Sequence, residues 1–280
     1  MEILRSVAEI RQWSRNARSK GCVVGLVPTM GALHAGHASL IRAASESCGA
    51  VVVSIFVNPT QFGPNEDFAR YPRTFEADSA LAEAEGATAF FAPSVEELYP
   101  DGAKTFIEVA GLSQRLDGNS RPGHFRGVAT VVAKLLIAAE ADRAFFGQKD
   151  AAQVAVLRRM VADMRLPVEI VVCPIVRELD GLALSSRNIF LSPAQRTQAL
   201  VLSRAIRQVE VLVAAGERSS RTLIDAARKI IAAETGVRED YIELVNWATL
   251  EPVEAAAPGS LFALAAYVGA TRLIDNTVID

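Results

Sequence analysis

The sequence predicts an α/β fold, a parallel sheet flanked by helices, with a smaller α+β domain behind it. Three observations carry this expectation. Short apolar runs alternate with helix-patterned segments through residues 1–174, the pattern of strands joined by right-handed helical crossovers. The run Val51-Val52-Val53-Ser54-Ile55-Phe56-Val57 is almost unbroken in β-branched and aromatic residues. Such a run suits a central parallel strand buried on both faces. After about Pro174 the alternation gives way to two helical segments and three strands, so residues 175–280 are read as the second domain.

The elements follow in order. Ser6-Val7-Ala8-Glu9 has the form of a capping box and opens a helix to about Ser19. Residues 22–27 predict a strand, and 37–48 a helix with Leu40, Ile41 and Ala44 on one face. Residues 58–73 are rich in Pro, Gly and polar groups and predict a loop. A helix over 74–85 stops at Gly86, whose missing side chain suits a C-terminal cap. Strands are expected at 88–91 and 105–109. A helix over 128–140, a strand over 143–146, a helix over 150–164 and a strand over 168–173 complete the first domain. In the second, Asp180-Gly181 predicts a tight turn. Helices at 193–215 and 220–234 follow, then strands at 241–247, 261–268 and 271–279.

Composition narrows the function classes. Half of the 280 residues are apolar and 22% are charged, which is ordinary for a globular protein. Formal net charge is -3 and no long Lys/Arg run appears, which argues against a large nucleic-acid footprint. The three cysteines, Cys22, Cys48 and Cys173, form neither a disulfide framework nor a Cys-x-x-Cys zinc pair. Arg5, Glu9, Arg11 and Arg15 interrupt any apolar leader, and the longest apolar stretches are too short to span a bilayer. A cytoplasmic protein without membrane or nucleic-acid partners is the expectation.

All three histidines lie in glycine-flanked motifs. His34 and His37 fall between a strand and a helix, in Met30-Gly31-Ala32-Leu33-His34-Ala35-Gly36-His37. Helix N-termini stabilise phosphate through free N–H groups and the helix dipole. His-x-Gly-His also arises by chance as polar loop residues. It is not the dinucleotide fingerprint, so a nicotinamide cofactor is not expected. Gly147-Gln148-Lys149-Asp150 sits at another strand-to-helix junction. There Lys149 can neutralise phosphate, and Asp150 can cap the helix or help hold magnesium. Ser185, Ser186 and Arg187 suit pyrophosphate oxygens, although the segment by itself favours a polar turn after the Asp-Gly hairpin. Asn58 and Gln61 close a buried strand with amides suited to a small polar substrate, and Gln153 lies one helical turn after Asp150. His124 is either a positioned ligand or a hydrogen-bonded core histidine. Three such segments follow strands, at 28–37, 58–63 and 147–150, which predicts a pocket at one sheet edge.

Together these segments resemble the bacterial pantothenate synthetase (pantoate–β-alanine ligase) family. The resemblance rests on Pro28-Thr29 before Met30 to His37, on Val57-Asn58-Pro59-Thr60-Gln61-Phe62 and on Tyr71-Pro72-Arg73. It extends through Arg121-Pro122-Gly123-His124-Phe125, Phe146 to Asp150, Asp180-Gly181-Leu182-Ala183-Leu184-Ser185-Ser186-Arg187-Asn188 and Thr271-Arg272-Leu273-Ile274-Asp275-Asn276. The order and spacing fit from near the N-terminus to the last strand. The family shares its His-x-Gly-His signature with class I aminoacyl-tRNA synthetases.

The resemblance implies a Rossmann-like N-terminal domain with a smaller C-terminal one, in a homodimer. It implies ATP-dependent condensation of (R)-pantoate with β-alanine to pantothenate, AMP and pyrophosphate. Carried over by position, Met30 to His37, Gly147, Gln148, Lys149, Asp150, Val176, Leu184, Ser185, Ser186 and Arg187 hold ATP. His37, His34 and Lys149 are the catalytic groups. Gln61 and Gln153 bind pantoate, and Gln61 also lies near β-alanine. Mg2+ rides mostly on ATP phosphates, with Asp150 as its protein contact. The smaller domain is expected to act as a lid. Ala35 and Gln148 stand where the family often has Glu, and Leu184 where it sometimes has Met. Three other readings compete: a nucleotidyltransferase that keeps the nucleotide in its product, an aminoacyl-tRNA synthetase, which the short chain without an evident basic region disfavours, and a non-catalytic nucleotide sensor, which the set His34, His37, Lys149, Ser185 and Arg187 argues against.

Overall fold

The computed structural model describes residues 1–63 and 68–280. The expected loop at 58–73 therefore falls partly outside the described residues, at 64–67. Contacts group the chain into two compact units. One comprises residues 1–147 and 156–173, the other 148–155 and 174–280.

The first unit is built on a six-stranded parallel sheet. Its elements are β1 (Glu2–Leu4), α1 (Val7–Ser19), β2 (Val24–Thr29), α2 (Ala35–Ser47), β3 (Ala50–Ile55), α3 (Phe75–Ala84), β4 (Ala89–Phe91), the short α4 (Val95–Leu98) and α5 (Asp117–Ser120), α6 (His124–Ala139), β5 (Arg143–Gly147), the part of α7 (Ala151–Asp163) from Val156 onward, and β6 (Glu169–Cys173). The strand order is β1-β4-β3-β2-β5-β6. Chain order runs outward in one direction from β2 through β3 and in the other through β5, so the reversal lies between β2 and β5. Ligands in open α/β sheets bind beside such a reversal, at the carboxyl ends of the strands. Val51, Val52 and Val53 are fully buried, as a strand covered on both faces requires. Ile41, Ala44 and Phe90 belong to the same apolar core.

Local signals explain the element ends. Ser6 Oγ accepts the Glu9 N–H at 3.2 Å and Glu9 Oε2 accepts the Ser6 N–H at 2.9 Å, which completes the capping box. Gly86 follows α3 with φ +99°, the left-handed geometry that glycine adopts without strain. The structure departs from the sequence reading in this unit at a missing strand and at an added one. Residues 105–109 form no strand. Thr130 Oγ1 takes the Ile107 N–H and Ser113 Oγ takes the Val109 N–H, so side chains satisfy donors that a ladder would use. β1 has no counterpart in the sequence reading, because three residues with only Leu4 buried display no period.

The second unit carries α8 (Pro193–Ala214), α9 (Ser220–Ala232) and an antiparallel sheet of β7 (Val237–Asn246), β8 (Ser260–Val268) and β9 (Thr271–Val278), in the order β7-β8-β9. Leu202, Ile206, Leu223, Ile231, Phe262 and Leu264 form its core. β7 starts before the expected Tyr241 because a bulge at Glu239/Tyr241 breaks the strand alternation. The Asp180-Gly181 turn closes a hairpin in which Arg177 bridges Ala183, with Gly181 at φ +97°.

This unit also takes in residues 148–155. Their backbone is gripped there by two side chains. Asn276 Nδ2 donates to the Gln148 and Lys149 carbonyls, each at 3.0 Å, and Trp247 Nε1 donates to the Ala151 carbonyl at 2.9 Å.

Candidate active site

In the first unit the histidine loop leaves β2 at Thr29. Thr29 Oγ1 donates to the Ser54 carbonyl at 2.7 Å and accepts the Gly31 N–H at 3.2 Å, which ties the loop to the end of β3. Gly31 (φ +90°) and Ala32 (φ +51°) both adopt left-handed geometry. For Ala32 that conformation costs about 1–2 kcal/mol, so the loop needs external support. The buried carboxylate of Asp78 supplies it, accepting the Ala32 N–H at 3.0 Å and the Leu33 N–H at 2.7 Å.

The loop then enters α2 at Ala35, two residues before the expected start, because His34 itself serves as N-cap. His34 Nδ1 accepts the Gly36 N–H at 3.1 Å, and His37 Nδ1 accepts the His34 N–H at 3.3 Å. The ring centroids are 4.2 Å apart. Accepting at Nδ1 leaves the proton of each neutral ring on Nε2, the donor that a phosphate oxygen requires. The two histidines are thus coupled through the first turn of the helix they open.

Gln61 lies in a 3-10 turn (Pro59–Gln61) after β3 and is buried. Asn58 Nδ2 donates to Gln61 Oε1 and to the Gly127 carbonyl, each at 3.1 Å. Asn58 Oδ1 accepts from the Thr60 N–H, the Thr60 hydroxyl and the Tyr99 hydroxyl. Fully buried and engaged at both ends of its amide, Asn58 orients Gln61. Gln61 Nε2 reaches Met30 Sδ at 3.1 Å. The amide expected to bind pantoate therefore touches the first residue of the loop expected to bind ATP.

His124 holds the Gln61 backbone. Its Nδ1 donates to the Gln61 carbonyl at 2.9 Å, so its Nε2 accepts from the Arg121 guanidinium, also at 2.9 Å. A carbonyl only accepts and a guanidinium only donates, which determines the tautomer. A cavity of about 510 Å³ opens beside this cluster, lined in part by Gln61, Gly63, Arg121, His124 and Arg126.

In the second unit, Asn276 holds the Gln148–Lys149 backbone as described, and Gln148 Nε2 donates to Asn276 Oδ1 at 3.3 Å. Lys149 Nζ lies 3.5 Å from Asp150 Oδ1. The neighbouring Asp275 takes both guanidinium nitrogens of Arg177, at 2.7 and 2.9 Å. Burial alone would depress the Arg177 pKa, but hydrogen bonds and charge from Asp275 outweigh it and raise the pKa above the ordinary value. Val176 sits beside this pair, and its carbonyl accepts the Leu184 N–H at 3.0 Å. Two adjacent residues of β9 thus anchor two of the expected ATP segments. Ser185 Oγ accepts the Arg187 N–H at 3.2 Å and caps a 3-10 turn (Ser186–Phe190). Gln153 is half-buried in the first turn of α7.

The first unit therefore gathers Met30 to His37 and Gln61, with Gly147 at the end of β5. The second holds Gln148 to Asp150, Gln153, Val176 and Leu184 to Arg187. The positioning roles of Asp78, His124 and Asp275–Asn276 escaped the sequence reading. Asp275–Asn276 and His124 lay inside motifs that drew attention, whereas Asp78 resembles any acid near a helix start. Among the described residues, no three His, Cys, Asp or Glu side chains form a metal-binding group. No helix among them is long and apolar enough to cross a membrane.

The sequence model of the family described as pantoate-beta-alanine ligase matches residues 2–278. The chain belongs to the pantoate–β-alanine ligase family. It is 61% identical over 283 residues to pantothenate synthetase of Acidobacterium capsulatum, covering 99% of this chain and 94% of that protein. With the Moorella thermoacetica pantothenate synthetase it shares 53% identity over 280 residues, covering 100% and 99%. Among solved structures, the pantothenate synthetase of Thermus thermophilus superposes with a TM-score of 0.93 at 43% identity, covering 100% and 99% of the two chains. The Francisella tularensis pantoate-beta-alanine ligase, crystallised with beta-gamma ATP and beta-alanine, gives 0.80 at 35% identity, covering 99% and 97%. As a pantoate–β-alanine ligase family member the chain is a ligase, and its parallel sheet with a small antiparallel second sheet is the architecture of these relatives.

Proposed function

We propose that this chain condenses (R)-pantoate with β-alanine at the expense of ATP, releasing AMP and pyrophosphate through an enzyme-bound pantoyl adenylate. One observation carries the reading in the site itself: the clamped Gln61 amide meets Met30 at the head of the histidine loop. A small polar substrate held by Gln61 then lies beside a nucleotide held by residues 30–37, as attack on the nucleotide demands.

In this reading the pantoate carboxylate, oriented by Gln61 and Gln153, attacks the α-phosphorus and pyrophosphate leaves. Negative charge grows on the phosphate oxygens, and His34 and His37 offer Nε2 protons to it at the start of α2. Lys149, Ser185, Ser186 and Arg187 hold the departing pyrophosphate. The β-alanine amine then attacks the adenylate carbonyl carbon and AMP leaves. The 510 Å³ cavity beside Gln61 is a route for that second substrate. Mg2+ would be carried mainly by phosphate oxygens, with the half-exposed Asp150 as its protein carboxylate. The ion would neutralise phosphate charge there. A homodimer and a cytoplasmic location belong to the same reading.

The test supplies ATP, Mg2+, pantoate and β-alanine and measures AMP and pantothenate together. Equal yields of both are expected, with pyrophosphate but no pantothenate formed when β-alanine is omitted. A product that retains the nucleotide, or AMP release that needs no pantoate, overturns the assignment.

A further inference from the structure

We infer that Asp78, outside every expected site segment, is the positioning residue that shapes the nucleotide-binding loop by serving as its internal anion. The inference rests on residues 30–37 binding ATP. Asp78 stands in the first turn of α3 and is only 3% exposed. Oδ1 accepts the Leu33 N–H at 2.7 Å. Oδ2 accepts the Ala32 N–H and the Thr74 hydroxyl, each at 3.0 Å. Both oxygens act as acceptors, as an ionised carboxylate must.

Consecutive N–H groups turned to one side form an anion-binding nest. In this loop the nest arises from the left-handed Ala32, and Asp78 fills it. With those donors occupied, phosphate is left to the helix start at residues 34–37. The fit is close. A Cβ on Gly31 would lie 3.2 Å from both Asp78 Oδ2 and Ile55 Cγ2, so the loop is seated between α3 and the end of β3. Leu33, held by Asp78, directly precedes the N-cap His34. Moving the Asp78 carboxylate moves the frame from which both histidines are hung.

Two variants test this, read by the dissociation constant for ATP without pantoate and by pyrophosphate release with pantoate. Asp78→Asn keeps the volume but turns an NH2 toward a backbone donor. Asp78→Ala removes both acceptors and leaves space for a small carboxylate. Displacement of a binding group by 1 Å costs up to about a hundredfold. We expect ATP binding weakened about tenfold in Asp78→Asn and up to about a hundredfold in Asp78→Ala, with the KM for pantoate within about twofold of wild type. Formate should restore ATP binding several-fold in Asp78→Ala, but not in wild type or His37→Ala. A lowered melting temperature with unchanged ATP binding overturns the inference, as does an Asp78→Ala loss that formate leaves untouched. Wild-type protein that fails to bind ATP overturns the functional reading as well. Normal wild-type binding with an unaffected Asp78→Ala overturns this inference alone.

Discussion

Gly127→Ala should cripple pantoate use while leaving ATP binding nearly intact. Gly127 lies inside α6 and is buried. A Cβ there would stand 2.4 Å from the Thr60 carbonyl oxygen, 2.6 Å from its carbon and 2.7 Å from Gln61 Cα. Ordinary contact begins near 3.4 Å, so the turn carrying Gln61 must retreat by about 1 Å. The obstructing atoms are backbone, and no rotamer change relieves them. Two effects oppose each other. Alanine is favoured over glycine in a helix interior by about 1 kcal/mol. Overpacking costs about 1–3 kcal/mol, and the hydrogen bond from Asn58 Nδ2 to the Gly127 carbonyl, worth about 1 kcal/mol, is strained as well. The net is a destabilisation of about 1–3 kcal/mol, read as a lower melting temperature. The kinetic effect is larger, since a 1 Å displacement of the amide proposed to orient pantoate costs up to about a hundredfold in kcat/KM. Pyrophosphate release at varied pantoate and saturating ATP measures it. An unchanged kcat/KM for pantoate, with the variant folded, would refute both the close packing of α6 on the turn and the role of Gln61.

Three further outcomes are expected. His37→Ala and Lys149→Ala should each lose about 3 kcal/mol of transition-state stabilisation, about a hundredfold in pyrophosphate release, with circular dichroism unchanged; near-normal release by either variant removes that residue from the mechanism. Asn276→Ala frees the Gln148 and Lys149 carbonyls and should cost about 1–2 kcal/mol in urea unfolding together with a raised KM for ATP. A stability loss at constant KM would make the contact purely structural. Burial pushes the Cys48 and Cys173 thiols up, so a thiol-specific reagent at neutral pH should titrate Cys22 first and the other two only on unfolding. Prompt reaction of all three would contradict the buried placement.

Much of this molecule is written locally. The capping box at Ser6, the stop at Gly86, the turn at Asp180-Gly181 and the buried run from Val51 depend on neighbours a few residues away. Each is therefore legible in order of sequence. The same holds for the segments expected to carry the chemistry, because helix starts and strand ends announce themselves by glycine and capping residues. The reading failed where a side chain outside the segment took its backbone donors. Residues 105–109 look like a strand until Thr130 and Ser113 take their N–H groups.

The sequence by itself determined the element types, the loops that carry polar groups and, through several motifs in register, the family. Only the tertiary structure decided that β3, β2 and β5 are neighbours, so that the ends of β2 and β5 flank the reversal in strand order. It alone assigned Asp78 to the histidine loop, His124 to the Gln61 carbonyl and Asn276 to the Lys149 backbone. The physical reason is that these are hydrogen bonds between groups 45, 63 and 127 residues apart. Their donors and acceptors are common residue types, and nothing in the pattern around any of them marks its partner.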